Sequence, residues 1–264
     1  MRFLHNAPAV LVGDALVIAD VHIGIEHEFW RSGIRVPSQT PELLKRLKAM
    51  LALSKAKKLV VLGDVKHKIP LLSWQEQREV PEFFSALSKL CEVHIVPGNH
   101  DGDLRALLPA GISLHPPSGL RLGDSFFVHG HAWPDKAFLE RSHVFAGHTH
   151  PHVSFRDTLG SRWSEPCWVR APLRAARLKK KYGPLPKQLP QLTIVPAFHP
   201  LSGGYALNER REKPRGDYER VVFLSYKTKR RLYTGPLSNS ADLANARINL
   251  LDGTLLGQLK KLRA

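Results

Sequence analysis

Short apolar runs alternate with amphipathic stretches through the first 150 residues. Ala15-Leu16-Val17-Ile18-Ala19 has the pattern of a buried strand and stops at Asp20. Thr40-Pro41 opens a helix, with Thr40 as N-cap and Pro41 at the first helical position. Leu43, Leu44, Leu47, Met50 and Leu51 then recur at helical spacing, and Lys55, Lys57 and Lys58 lie near the C-terminal end, where cations are favoured. Leu59-Val60-Val61-Leu62 reads as a second strand, ending at Gly63-Asp64. A second helix is expected from near Val80-Pro81, carrying Phe83, Phe84, Leu87 and Leu90. Val93-His94-Ile95-Val96 is a third strand, ending at Pro97-Gly98-Asn99-His100-Asp101, and Asp103 to Leu108 suits one or two helical turns. Ser125-Phe126-Phe127-Val128 and His143-Val144-Phe145-Ala146 are two more strands, ending at His129-Gly130-His131 and Gly147-His148-Thr149-His150.

Repeated alternation of strand, polar cluster and helix predicts an α/β fold with a largely parallel sheet. Ligand sites in such sheets lie at the carboxyl ends of the strands, where each polar cluster falls. Beyond Pro151 the helical signal weakens. His152 to Asp157, Leu192 to Val195, Arg220 to Tyr226 and Arg230 to Tyr233 read as strands. Residues 170 to 190 hold Arg170, Arg174, Arg177, Lys179, Lys180, Lys181 and Lys187 among Pro and Gly, and read as a basic loop with room for a short helix. Residues 208 to 219 are charged and loop-like. The expected organisation is a single domain over 1–264 with a basic loop insertion around 170–190.

Composition narrows the function more than the fold. With 43% apolar and 23% charged residues in 264, general disorder is excluded. The formal net charge of +16 favours polyanionic partners: nucleic acid, an anionic membrane or phosphorylated substrates. The two cysteines, Cys91 and Cys167, make neither a disulfide framework nor a thiolate zinc motif, and fit a reducing cytoplasm. Met1-Arg2-Phe3-Leu4-His5 lacks the apolar core of a signal peptide, and no run approaches the ~18 apolar residues of a membrane span. A soluble, cytoplasmic protein with no membrane partner is expected.

Five clusters contain metal-type ligands, and all five follow apolar strands: Asp20-Val21-His22, Gly63-Asp64, Gly98-Asn99-His100-Asp101, His129-Gly130-His131 and Gly147-His148-Thr149-His150. One such cluster is a weak signal, whereas five in order are hard to attribute to chance. Imidazole with carboxylate suits manganese, iron, zinc or nickel. Residues i and i+2 of a strand point to one side, so Asp20 with His22, and His148 with His150, are expected to face one ion together. The glycines before Asp64, Asn99 and His148 allow close backbone approach.

The ordered motifs DxH, GD, GNHD, H and GHxH, spanning Asp20 to His150, resemble those of the calcineurin-like metallophosphoesterases. Gly63-Asp64-Val65-Lys66-His67, Arg31 to Pro37, Pro196-Ala197-Phe198-His199-Pro200 and Gly203 to Asn208 further resemble a small prokaryotic branch, with archaeal and DNA-ligase-associated members. The resemblance implies a four-layer α/β/β/α sandwich of two mixed sheets flanked by helices. It implies two divalent ions, Mn²⁺ first and Fe, Zn or Ni as alternatives. Asp20, His22 and His150 would hold one, Asn99, His129 and His148 the other, and Asp64 would bridge them. His100 would protonate the leaving alkoxide, and Asp101 would orient its imidazole or cap the following turn. His131 lies close enough in sequence to reach the site. Many relatives carry an acid or amide three residues after the second-motif Asp; here that residue is His67, and both it and Lys66 are candidates for phosphate contact.

These readings predict a metal-dependent phosphoesterase, with a phosphodiesterase acting on nucleotides or nucleic acid favoured by the basic surplus. The alternatives are a DNA or RNA nuclease in repair and a non-catalytic nucleic-acid-binding subunit. Oligomeric state is not legible from the sequence.

Overall fold

Strands that are apolar at every position have two faces to bury, and the chain meets that demand with two stacked sheets. A computed structural model describes residues 1–209 and 234–262. The first sheet runs in sequence order: β1 (Arg2–Phe3), β2 (Val10–Val12), β3 (Ala15–Ala19), β4 (Lys58–Leu62), β5 (Glu92–Val96) and β6 (Ser113–Leu114). Its first three strands pair antiparallel and β3 to β6 pair parallel. The crossover from β3 to β4 carries α1 (Glu26–Arg31) and α2 (Thr40–Ser54), and that from β4 to β5 carries α3 (Trp74–Ser88).

The second sheet comprises β7 (Leu120–Leu122), β8 (Ser125–Val128), β9 (His143–Ala146), β10 (Pro151–Arg156), β11 (Arg162–Ala171), β12 (Gln191–Ile194), β13 (Tyr205–Ala206), β14 (Arg247–Leu250) and β15 (Leu255–Gln258). Its order is β13-β10-β11-β12-β9-β8-β7, with β14 added on β11 and β15 on β14. Parallel and antiparallel pairs mix throughout.

Alternation along the strands sorts the core into three layers of contact. Leu16, Ile18, Leu59, Val61, Val93 and Ile95 pack under Leu43 and Leu47 of α2 and Phe83, Phe84 and Leu87 of α3. Val17, Val60, Leu62 and Val96 point the other way, onto Phe127, Phe145, Trp168 and Val195 of the second-sheet half. On the far face, Phe126, Val128, Val144 and Ala146 meet Leu178 of α4 (Ala175–Tyr182) and Leu237 of α5 (Gly235–Ser238). The result is the expected mixed α/β arrangement of two mixed sheets flanked by helices.

Several elements depart from expectation. α3 begins at Trp74, well before Val80-Pro81, because Ser73 and Glu76 form a reciprocal capping box and Pro81 is accommodated inside the helix. α2 starts at Thr40 with Gln39 before it, and the Thr40 hydroxyl donates to Glu79 Oε2 at 2.6 Å instead of capping. The segment expected as a basic loop with room for a short helix holds such a helix, α4, anchored by buried Leu178, and departs from expectation only in also containing the end of β11. Arg220 to Tyr226, Arg230 to Tyr233 and most of 208–219 lie outside the described residues. Among the described residues, no helix is long and apolar enough to cross a membrane.

Candidate metal centre

β3, β4 and β5 run parallel in the first sheet, and β8 and β9 run parallel in the second, so the tips within each set share one edge. The two edges are stitched together. Phe198 N–H donates to Ala19 O at 2.7 Å, and His129 Nδ1–H to Leu62 O at 2.8 Å. All seven expected metal ligands fall on this seam. Asp20 and His22 follow β3, Asp64 follows β4, Asn99 follows β5, His129 follows β8, and His148 and His150 lie between β9 and β10.

They do not converge by strand alternation. β3 ends at Ala19 and β9 at Ala146, so neither pair sits in a strand. Asp20, His22, Asp64, His148 and His150 instead adopt left-handed backbone, with φ of 57°, 45°, 47°, 68° and 42°. Such a conformation costs a non-glycine residue roughly 1–2 kcal/mol and persists where surrounding structure enforces it, commonly at functional sites. Its use here is geometric: a left-handed step folds the chain back so that successive side chains stay on the strand edge. The glycines serve close approach, as expected. A Cβ on Gly63 would lie 2.6 Å from the Gly98 nitrogen, and one on Gly147 would lie 2.9 Å from Asp20 Oδ2.

Three groups of side chains have ligand atoms within 4.8 Å of one another. The first is Asp20, His22 and His150: His150 Nε2 is 3.3 Å from Asp20 Oδ1 and 3.3 Å from His22 Nε2. The second is Asp64, His129 and His148: His129 Nε2 is 3.4 Å from Asp64 Oδ2 and 3.2 Å from His148 Nδ1, with Asn99 Oδ1 at 3.3 Å. Asp64 Oδ2 stands between the groups, 3.8 Å from His22 Nε2 and 3.9 Å from His100 Nε2. The third group is His22, His67 and His100.

This donor set fits divalent cations. Imidazole nitrogens crowd at distances where two lone pairs would repel unless a proton or cation sits between them. The orientation of His129 follows from its bond to Leu62: Nδ1 carries a hydrogen, so Nε2 is the atom that faces Asp64 and His148. Burial, with His129 beside it, lowers His148 to about 4, and burial with His100 nearby lowers His67 to about 4. Burial likewise holds His22 well below the usual range. These rings are therefore neutral, the form that ligates. Burial opposes charge on His129 as well, but Asp64 and Asp20 beside it lift it to about 9. Burial also opposes ionisation of Asp64, yet His129 and His22 hold its carboxyl well below the usual range. With nitrogen and oxygen donors and no thiolate, the set suits first-row ions.

The remaining sequence candidates separate. His100 is half-buried, with Nδ1 on the carbonyl of His67, which leaves Nε2 facing Asp64. Asp101 does not orient that imidazole. Its buried carboxylate accepts from the N–H groups of Val65 at 2.8 Å, Lys66 at 3.3 Å and Gly98 at 2.8 Å, locking together the turns after β4 and β5. Burial and the nearby Asp64 push it up to about 6. Lys66 is turned inward at 1% exposure, with Nζ donating to Lys68 O at 2.7 Å, so it is not offered to a phosphate. His67 Nδ1 lies 3.3 Å from His22 Nδ1. With His22 Nε2 aimed at Asp20 and His150, its Nδ1 carries the hydrogen and donates to His67. His131 is half-buried beside His129, with ring centroids 5.2 Å apart, and belongs to none of the three groups.

Two supports were not read from the sequence. Glu76 Oε1 accepts from the N–H groups of His67 at 2.9 Å and Lys68 at 2.6 Å, fixing the loop that carries His67; the Ser73-x-x-Glu76 spacing was its available signal. His199 N–H donates to Asp20 O at 3.3 Å, and its Nε2 lies 3.7 Å from buried Glu26. No local pattern marks that contact.

A family model described as calcineurin-like phosphoesterase matches residues 14–184, which include every ligand candidate above. Among solved structures, the Pseudomonas putida nuclease MPE is 22% identical, over 96% of this chain and 94% of that one, with a TM-score of 0.57. That likeness supports the fold. Yfce, a phosphoesterase from E. coli, is 21% identical over 54% of this chain and 73% of that one, with a TM-score of 0.36, too loose an overlap to add to it. None of the curated proteins compared matches the chain.

Proposed function

The chain belongs to the calcineurin-like phosphoesterase family, a family of metal-dependent hydrolases, and from that premise we propose that it is a phosphodiesterase working with two divalent cations, manganese first among them. The observation that carries this reading is the convergence of side chains from five strand tips into adjoining groups, with Asp64 Oδ2 3.4 Å from His129 Nε2 in its own group and 3.8 Å from His22 Nε2 in the next. Asp20, His22 and His150 hold one cation, and Asn99, His129 and His148 hold the other. Asp64 serves both, since its Oδ2 faces His22 and His129 alike.

Bound divalent ions supply positive charge that draws in the phosphate and lowers the pKa of a water toward neutrality. His100 then has a defined task. Its Nδ1 is engaged by the His67 carbonyl, so a proton held on Nε2 passes to the departing oxygen. Asp101 contributes by position: it fixes the backbone just after Asp64 and just before Asn99. His67 orients His22 and carries the loop that orients His100. His131 lines the second-sheet side of the site, within reach of a substrate.

A diester is favoured over a monoester by the net charge of +16, which suits nucleotide or nucleic-acid substrates. A nuclease shares the same chemistry and differs only in the length of strand bound. A non-catalytic role is disfavoured, because no ligand position has lost its donor. A cytoplasmic location is supported by two unpaired thiols. The test is turnover of aryl phosphate mono- and diesters by purified protein reloaded with Mn²⁺. Faster release from the diester supports the reading, and no release from either sinks it.

A further inference from the structure

We propose that α4 is a binding surface for the phosphodiester backbone of a nucleic acid, flanking the metal site on its second-sheet side. The inference rests on the diesterase reading for what the strand is delivered to, but its observations are separate. Residues 170–190 hold seven cations and no carboxylate, against a chain total of +16. Within the helix, Arg177, Lys179, Lys180 and Lys181 are all exposed, and Leu178 is the buried anchor. Arg177 stands three and four residues before Lys180 and Lys181, a spacing at which like charges repel. Elsewhere the fold relieves such charge: on α2, Lys45 lies 3.7 Å from Glu42. Two acids of neighbouring loops are already engaged. Asp242 binds Arg174 at 2.6 Å and Asn245 at 2.7 Å, and Asp135 caps Ala137 N–H at 2.8 Å. Among the described residues, Arg177, Lys179 and Lys180 make no ion pair.

Both ends of the helix are tied to loops that touch the metal groups. At its C-terminal end, Tyr182 Oη donates to Pro134 O at 2.6 Å, its ring packs 5.7 Å from Trp133, and Lys181 Nζ sits 6.0 Å from the Trp133 centroid. Trp133 is two residues past His131 and four past His129. At the N-terminal end, Arg174 N–H donates to Ser240 O at 2.7 Å. The neighbouring Ser238 hydroxyl lies 3.1 Å from that of Thr149, between His148 and His150. These contacts link the cationic helix to the segments that carry His129, His131, His148 and His150. Its partner is a chain of regularly spaced phosphates, which matches successive cations without needing a shaped pocket.

The experiment measures binding of a fluorescein-labelled DNA oligonucleotide in EDTA, across a salt series, with anionic vesicles as a parallel arm. The triple variant Lys179→Gln, Lys180→Gln, Arg177→Gln is expected to raise Kd about tenfold or more and to lower the log–log salt slope by about two to three. Its turnover of a small aryl diester should stay within twofold of wild type. A control removing three cations from the first-sheet side (Lys45→Gln, Lys48→Gln, Lys55→Gln) should do markedly less. Equal weakening by the control would overturn the proposal in favour of diffuse net charge. So would a triple variant that loses only vesicle binding, or that binds DNA as wild type does. If wild type binds DNA in this α4-dependent way yet never hydrolyses the aryl diester, the diesterase reading fails while the binding surface stands.

Discussion

The two sheets contribute to the metal groups in unlike ways. The first supplies both carboxylates, Asp20 and Asp64, with the Asn99 amide and the imidazoles of His22 and His100. The second supplies imidazoles alone: His129, His148 and His150. Each of the two carboxylate-containing groups draws on both sheets, whereas the third group, His22, His67 and His100, lies on the first sheet alone. Charge compensation lies on one side of the seam and directional imidazole donors on the other. The apolar layer of Val17, Val60, Phe127 and Phe145 keeps the two in register. Metal binding in such a design belongs to the folded state and stabilises it.

The largest expected effect comes from the shared carboxylate. Asp64→Ala should reduce kcat/KM by about a thousandfold or more and lower bound metal, because it removes charge from both groups. His148→Ala, on the imidazole side, should cost about a hundredfold and spare the first group. Equal losses in metal-content and kinetic assays would erase the proposed division between sheets. Next is His100→Ala, expected to lower kcat by about 10²–10³ with metal content unchanged. A drop in metal content would recast His100 as a ligand in the third group.

His67 sharpens the comparison on the first-sheet side. His67→Ala should weaken metal affinity about 10- to 100-fold by freeing the His22 ring. In His67→Asn, Oδ1 can occupy the place of Nδ1 and affinity should stay near wild type in a calorimetric titration. Loss in both variants would mean that His67 acts other than by accepting from His22.

The first half was the more legible. Ser125–Val128 and His143–Ala146 are strands to the residue, and β3, β4 and β5 lie within one residue of expectation. Apolar runs that stop abruptly at ligand-type residues carry their own boundaries. β11 was not legible: Arg162 and Glu165 are charged, Pro166 interrupts the run, and only its second half is buried, between β12 and β14. The left-handed backbone at Asp20, His22 and Asp64 has no sequence signal, since none of these residues is glycine. The contact between His199 and Asp20 joins positions far apart in the chain, so local pattern could not mark it.

The smallest effect lies away from the seam. Ser73→Ala breaks the capping box of α3 and should cost about 1 kcal/mol of stability in a denaturant titration. Turnover should hardly change, since Glu76 keeps its grip on the His67 loop. A large kinetic loss would show that the helix cap, and not the strand tips alone, governs the site.

The most direct measurement is anomalous diffraction from crystals grown with Mn²⁺. Two peaks are predicted on the seam, one among Asp20, His22 and His150 and one among Asn99, His129 and His148, with Asp64 reaching both. A single peak that Asp64 does not touch, or manganese bound only away from these side chains, would contradict the account.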